Sequence, residues 1–177
     1  GLEIHGRDRL CLIQISSGDG TAHLVQIEKD QKDAPNLQKL MSDTTITKIF
    51  HFARFDVAAL KRFLGVDVKP VYCTKIASKL IRTYTDRHGL RDLCRELINV
   101  DISKQQQSSD WGAETLTKEQ LAYAASDVFY LHRLKEKLDA NLVREGRMEL
   151  AQACFDFLPT RGDLDSAGWA EVDIFAH

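Results

Sequence analysis

Two aspartates stand where the helical period calls for apolar side chains. Between the apolar run at 46–52 and Gly65, a step of about 100° per residue puts Phe52, Phe55, Ala59, Leu60 and Phe63 on one side. Arg54 and Lys61 fall on the other, and Asp56 lies in the middle of the apolar side. Further along, Tyr123, Tyr130, Leu131, Leu134 and Leu138 share a side away from Arg133 and Glu136, with Asp127 at its centre. An ionised carboxylate on a core-facing stripe costs several kcal/mol unless it is paired, hydrogen-bonded or bound to a cation. Each aspartate alone is explained by an arginine partner or a helix N-terminus. The same anomaly on two helices favours one shared explanation. Two carboxylates meeting at a sheet edge form a hard-oxygen site suited to Mg²⁺ or Mn²⁺, which take a few carboxylates plus water and substrate phosphate.

The elements that must bring these residues together follow from the pattern around them. The segments at 10–15 and 22–27 flank Ser17-Gly18-Asp19-Gly20 and read as a hairpin. A short helix follows Pro35, a third strand covers 46–52, and the Asp56 helix runs to about Leu64, stopped near Gly65. Val71-Tyr72-Cys73 is a short fourth strand. Helices are then expected over about 74–83, 89–97, 118–145 and 147–157, the third opening on a capping box of Thr117 and Gln120. Strands that alternate with helices after an initial hairpin predict an α/β fold, a sheet with helices on its faces. One domain is expected at 1–157, with an acidic, aromatic tail at 158–177 that docks on the domain or on a second subunit.

Composition narrows the function classes. The chain has 177 residues, 44% hydrophobic and 28% charged, with 10 Gly and 3 Pro, the profile of an ordinary globular domain. No segment approaches the roughly 20 apolar residues of a membrane span. Cys11, Cys73, Cys94 and Cys154 are far apart, form no C-x-x-C pair, and read as buried cytoplasmic thiols. A formal charge of −2 argues against a protein that coats long nucleic acid by bulk electrostatics. A local anion site remains open where Lys75, Lys79, Arg82, Arg87, Arg91 and Arg95 face only Asp86 and Asp92, although a solvated helix face also explains such a run.

Read as motifs, the same residues resemble the DEDD exonuclease superfamily in its tyrosine-bearing branch. Ile49-Phe50-His51-Phe52-Ala53-Arg54-Phe55-Asp56 resembles the second motif of that family, and Tyr123-Ala124-Ala125-Ser126-Asp127 its third, Y-x-x-x-D. Lys104, Gln107, Asp110 and Trp111 match the K-x-x-Q-x-x-D-W element of ribonuclease D. A lone Y-x-x-x-D carries almost no information, whereas three elements in this order and spacing are specific. The segments at 74–80, 83–90 and 157–170 look like the single-domain subfamily called nanoRNase C. The resemblance implies a ribonuclease H-like mixed sheet flanked by helices, and a two-ion Mg²⁺ or Mn²⁺ site with metals about 4 Å apart. Hydrolysis from the 3′ end would release nucleoside 5′-monophosphates. Asp56 and Asp127 are then metal ligands and Tyr123 a catalytic group that touches the attacking water. The subfamily further implies short single-stranded RNA, notably dinucleotides, as substrate, and a homo-oligomeric ring. Ribonuclease D proteins that add helical nucleic-acid-binding domains are larger, and the lack of such domains here agrees with a short substrate.

The resemblance also assigns substrate contacts: Leu2 as a wedge against a base, His51 and Phe52 in one pocket, and Lys104, Gln107, Asp110 and Trp111 in support of the site or substrate. Arg87 and His88 are placed at a 5′-phosphate. There are two departures. The first motif, D-x-E-T, ends just before a Gly-Leu pair, and this sequence opens on Gly1-Leu2, with Glu3 beyond the motif. The first strand and two of four expected carboxylates are therefore missing here, which predicts weak metal binding and little activity for the chain as it stands. Phe52 replaces the Asn of H-N-x-x-F-D. Other readings are a general ribonuclease D-like exonuclease on longer RNA or DNA, and an inactive nucleic-acid-binding scaffold.

Overall fold

The computed structural model describes residues 9–103 and 105–177, so Leu2, Glu3 and Lys104 lie outside the described residues. The expected hairpin is present: β1 (Leu12–Ile15) pairs antiparallel with β2 (His23–Gln26). After α1 (Pro35–Ser42) comes β3 (Lys48–Phe50), which pairs in parallel with β4 (Val71–Cys73) across α2 (Ala53–Leu64). Gly65, at φ +62°, stops α2 and returns its N–H to the Lys61 carbonyl. Among the described residues the two strand pairs share no strand.

The remaining chain is helical: α3 (Thr74–Ile81), α4 (Leu90–Ile98), α5 (Lys118–Phe129), α6 (Leu131–Arg144) and α7 (Met148–Leu164). The long helix expected over 118–145 is two helices, because Tyr130, at ψ −2°, breaks the turn between α5 and α6. The helix expected to end near 157 instead continues through Pro159 to Leu164 and a π turn at Asp165–Trp169. Proline removes one helical hydrogen bond there, and packing against α2 compensates: Gly162 lets the α7 backbone approach Ala58, whose Cα stands 3.6 Å from the point a Cβ would occupy.

The core gathers Leu134, Leu138 and Leu142 of α6, Leu93 of α4, Phe155 of α7 and Val68, all essentially inaccessible to solvent. The buried residues of α2 are Ala53, Val57, Ala58, Ala59, Leu60 and Leu64. Ala59 and Leu60 are buried as read from the sequence, but the phenylalanines correct that stripe: Phe52 is exposed and Phe55 and Phe63 are only half-buried. The helical step puts Asp56 about 70° from the centre of the buried face, between Ala59 and Leu60. Among the described residues no helix is long and apolar enough to cross a membrane.

Candidate active site

A cleft of about 720 Å³ runs between the β1 and β3 sides of the molecule, and Asp56 and Asp127 both line it. Asp56 arrives from α2, which packs on β3 and β4, and Asp127 from α5, which packs on β1 and β2. The capping box positions α5: Thr117 accepts from the Gln120 N–H at 3.1 Å while the Gln120 side chain accepts from the Thr117 N–H at 2.9 Å. The same Gln120 amide donates to Ser109 Oγ and to the Asp110 carbonyl, tying the preceding loop to the helix.

Neither aspartate has a hydrogen bond or ion pair among the described residues, and burial raises both. The Asp56 carboxyl is pushed up to about 7 by burial and by the neighbouring charge of Asp127. Asp127 rises to about 6 by burial. Two half-buried carboxyls that disfavour each other's ionisation and face one cleft form a dyad that titrates as a pair. Their four oxygens, free of donors among the described residues, fit part of a hard divalent site, with water and substrate phosphate left to complete it. Among the described residues no third His, Cys, Asp or Glu joins them.

Tyr123 stands one turn before Asp127, half-buried, its ring 5.9 Å from that of Trp111. Burial and the charge of Asp127 raise its phenol above the usual value, so it keeps its proton. Tyr123 is not among the side chains lining the cleft; it flanks the dyad from the Trp111 side.

His51 lines the cleft, but Phe52 does not, which corrects the expectation of one shared pocket. Phe52 is left-handed, at φ +62°, and this turns its ring away into a second pocket of about 500 Å³. There it meets Phe55 edge-on at 4.3 Å, with Lys75 3.8 Å from the ring centre. His51 Nδ1 lies 2.9 Å from Thr74 Oγ1, and burial followed by the charge of Lys75 lowers its imidazole to about 4. Thr74 was not anticipated; the parallel register of Phe50 with Cys73 is what sets residues 51 and 74 side by side.

The other substrate candidates are not gathered at the dyad. Gln107 and Asp110 are exposed, and the Asp110 carboxylate accepts from the Gly112 N–H. Arg87 is exposed on the loop after α3, and His88 bonds Ser78 Oγ at 2.7 Å; neither lines the cleft. Nor is the basic run one anion site: Arg82 is buried and pairs with Glu96, and Arg95 pairs with Asp101, while Lys75 and Lys79 line the second pocket.

Comparison with known proteins agrees with this geometry. The family described as 3′-5′ exonuclease matches residues 1–143. Ribonuclease D of Acidiphilium cryptum (strain JF-5) is 31% identical over 140 residues, which is 79% of this chain and 35% of that protein. The chain thus spans about a third of the length of the curated relatives it matches first. Among solved structures, Brucella melitensis NrnC superposes with a TM-score of 0.96 at 65% identity, covering 100% of this chain and 85% of that one. NrnC has also been solved with bound Mg²⁺ and bound to pGG. Escherichia coli RNase D, at 24% identity and a TM-score of 0.74 over 89% of this chain and 43% of that one, shows the shared fold. A carboxylate dyad on two helices, a tyrosine one turn away, and a match over most of the length lead to one assignment: the chain belongs to the 3′-5′ exonuclease family, with the ribonuclease H-like fold of NrnC and RNase D.

Proposed function

We propose that the protein is a metal-dependent 3′-5′ exoribonuclease that hydrolyses short RNA, dinucleotides above all, to nucleoside 5′-monophosphates. The observation that carries this is the pair Asp56 and Asp127, half-buried, without donors among the described residues and facing one cleft. Likeness to NrnC, a protein solved with Mg²⁺ and with pGG, supports the choice of metal and substrate.

Asp56 and Asp127 would hold part of a site for Mg²⁺ or Mn²⁺, and two such ions would supply an acidified water and stabilise the leaving oxygen. The phenol of Tyr123 keeps its proton and so orients water through its hydroxyl rather than removing a proton from it. Trp111 holds the Tyr123 ring, and the Gln120 bonds fix the loop that carries Trp111. Further from the dyad, Arg87 and His88 are assigned to the 5′-phosphate, Leu2 to a base, and Lys104, Gln107 and Asp110 to the approach of the RNA. The exonuclease domain, expected at 1–157, takes in the rest of α7, since Leu158 belongs to the core and the helix continues to Leu164. The tail at 158–177 is docked by Asp165 and leaves Trp169, Val172 and Ile174 exposed for a neighbouring copy in a ring.

Calorimetry with Mn²⁺, followed by hydrolysis of labelled di- and heptanucleotides, tests this reading. Binding that is lost in Asp56→Asn, with faster turnover of the dinucleotide, is the expected result. Faster turnover of the heptanucleotide would instead identify a general ribonuclease D-like enzyme. A full-length protein that binds no Mn²⁺ would sink the nuclease reading and leave a nucleic-acid-binding scaffold.

A further inference from the structure

We propose that His51 is a specificity-determining residue: its Nε2, left as a lone pair by the bond from Nδ1 to Thr74, accepts a hydrogen bond from a ribose hydroxyl of the nucleotide bound beside Asp56 and Asp127. The inference rests on the exonuclease reading for the presence of RNA in the cleft, and on hydrogen-bond accounting for the rest.

Thr74 is fully buried at the junction of β4 and α3, and its hydroxyl has one hydrogen to give. The Phe50 carbonyl, 3.2 Å away, can only accept, so that hydrogen goes to Phe50. The 2.9 Å contact between Thr74 Oγ1 and His51 Nδ1 then needs its hydrogen from the imidazole. Both contacts are satisfied in one arrangement only, with the proton on Nδ1. In a neutral imidazole the second nitrogen is then an acceptor. Burial and the nearby Lys75 keep the ring neutral down to about pH 4. Nε2 makes no hydrogen bond to a described residue, and the ring lines the cleft that holds the dyad.

This assignment has a chemical consequence. A neutral lone pair does not bind phosphate oxygens, which are acceptors themselves; it binds an O–H or N–H. Base donors change from one nucleotide to the next, whereas every ribonucleotide brings sugar hydroxyls to the same place beside its phosphate, and the 2′-hydroxyl distinguishes RNA from DNA. An enzyme that removes nucleotides of any base has a use for the sugar donor. His51 would therefore select ribose without selecting sequence.

Two measurements on the full-length protein test the proposal. The ¹⁵N spectrum of the imidazoles should show an unprotonated Nε2 for His51 at neutral pH, with the assignment made by loss of the signal in His51→Asn. An Nε2–H tautomer overturns the proposal whatever the activity. In kinetics, dinucleotides lacking 2′-hydroxyls one sugar at a time, and one lacking the 3′-hydroxyl, are compared with the all-ribo substrate. One hydrogen bond predicts a preference of about tenfold in kcat/KM for the hydroxyl that His51 reads. His51→Asn, which keeps a partner for Thr74 but has no acceptor at the Nε2 position, should slow the ribo substrate to the deoxy rate and leave the deoxy rate unchanged. His51→Gln, which can present an oxygen there, should restore part of the preference. Equal slowing of both substrates would mean a structural role, and a preference that follows base identity would mean a base contact; either overturns the proposal. If nothing is hydrolysed, affinities of the same dinucleotides give the same comparison, so ribose selection through His51 would stand while the exonuclease reading fell.

Discussion

A carboxyl held up to about 7 affects folding as well as catalysis. In the folded chain Asp56 keeps its proton to about pH 7, whereas the unfolded chain releases it near the ordinary value of 3.8. The native state therefore binds more protons in between, and stability falls as pH rises through that window. Without divalent ions, Asp56→Asn should be more stable than the parent by up to about 4 kcal/mol at pH 8 and equal to it at pH 4, read from urea melts. Cation binding must drive protons off the dyad, so Mn²⁺ affinity measured by calorimetry should weaken as pH falls below about 7. On the proposed function, Tyr123→Phe removes a hydroxyl that would orient water and no ligand. Turnover should fall by orders of magnitude with Mn²⁺ affinity nearly intact, and unchanged turnover would remove Tyr123 from the mechanism. That Asp56, Tyr123 and Asp127 lie on helices was legible in the sequence, since helix signals are local, although the buried face of α2 was not. The contact of His51 with Thr74 was not, since it depends on the register of two strands separated by a helix.

At the scale of elements, the legible features were those written in neighbouring residues. The capping box at Thr117 and Gln120 formed as spelled, and Thr117→Ala should cost about 1 kcal/mol of stability in a thermal melt. The break at Tyr130 was hidden because the apolar positions at 131, 134 and 138 continue the period of the helix before it, so the pattern carries no mark of the interruption. Pro159 hid the continuation of α7 for the opposite reason: a residue that usually ends helices is carried by packing against α2. Gly162 makes that packing measurable. A methyl group there meets Ala58 at ordinary contact distance, so Gly162→Ala should leave stability unchanged or raise it by up to about 1 kcal/mol through helix preference. Gly162→Leu should overpack the seam and cost about 1–3 kcal/mol.

Across the whole molecule, Asp165 ties the end of the chain to its middle. Its buried carboxylate accepts two bonds from Arg54, at 2.7 and 2.8 Å, and faces Arg161 at 3.2 Å, while Arg54 also reaches the Ala170 carbonyl. Asp165→Ala leaves Arg54 and Arg161 with carbonyl partners only and should cost about 3 kcal/mol, with earlier proteolytic release of the last residues as a second readout. An acidic, aromatic tail was visible in the sequence, but its anchor was not, since Arg54 and Asp165 are 111 positions apart. The cleft has a consequence at the same scale. Asp56 rides on the half built around β3 and β4, and Asp127 on the half built around β1 and β2. The two carboxylates thus report on how α2 and α5 sit together. A cation that touches both acts as a rivet between two helices, and saturating Mn²⁺ should slow amide hydrogen exchange in α2 and α5, far more in the parent than in Asp56→Asn.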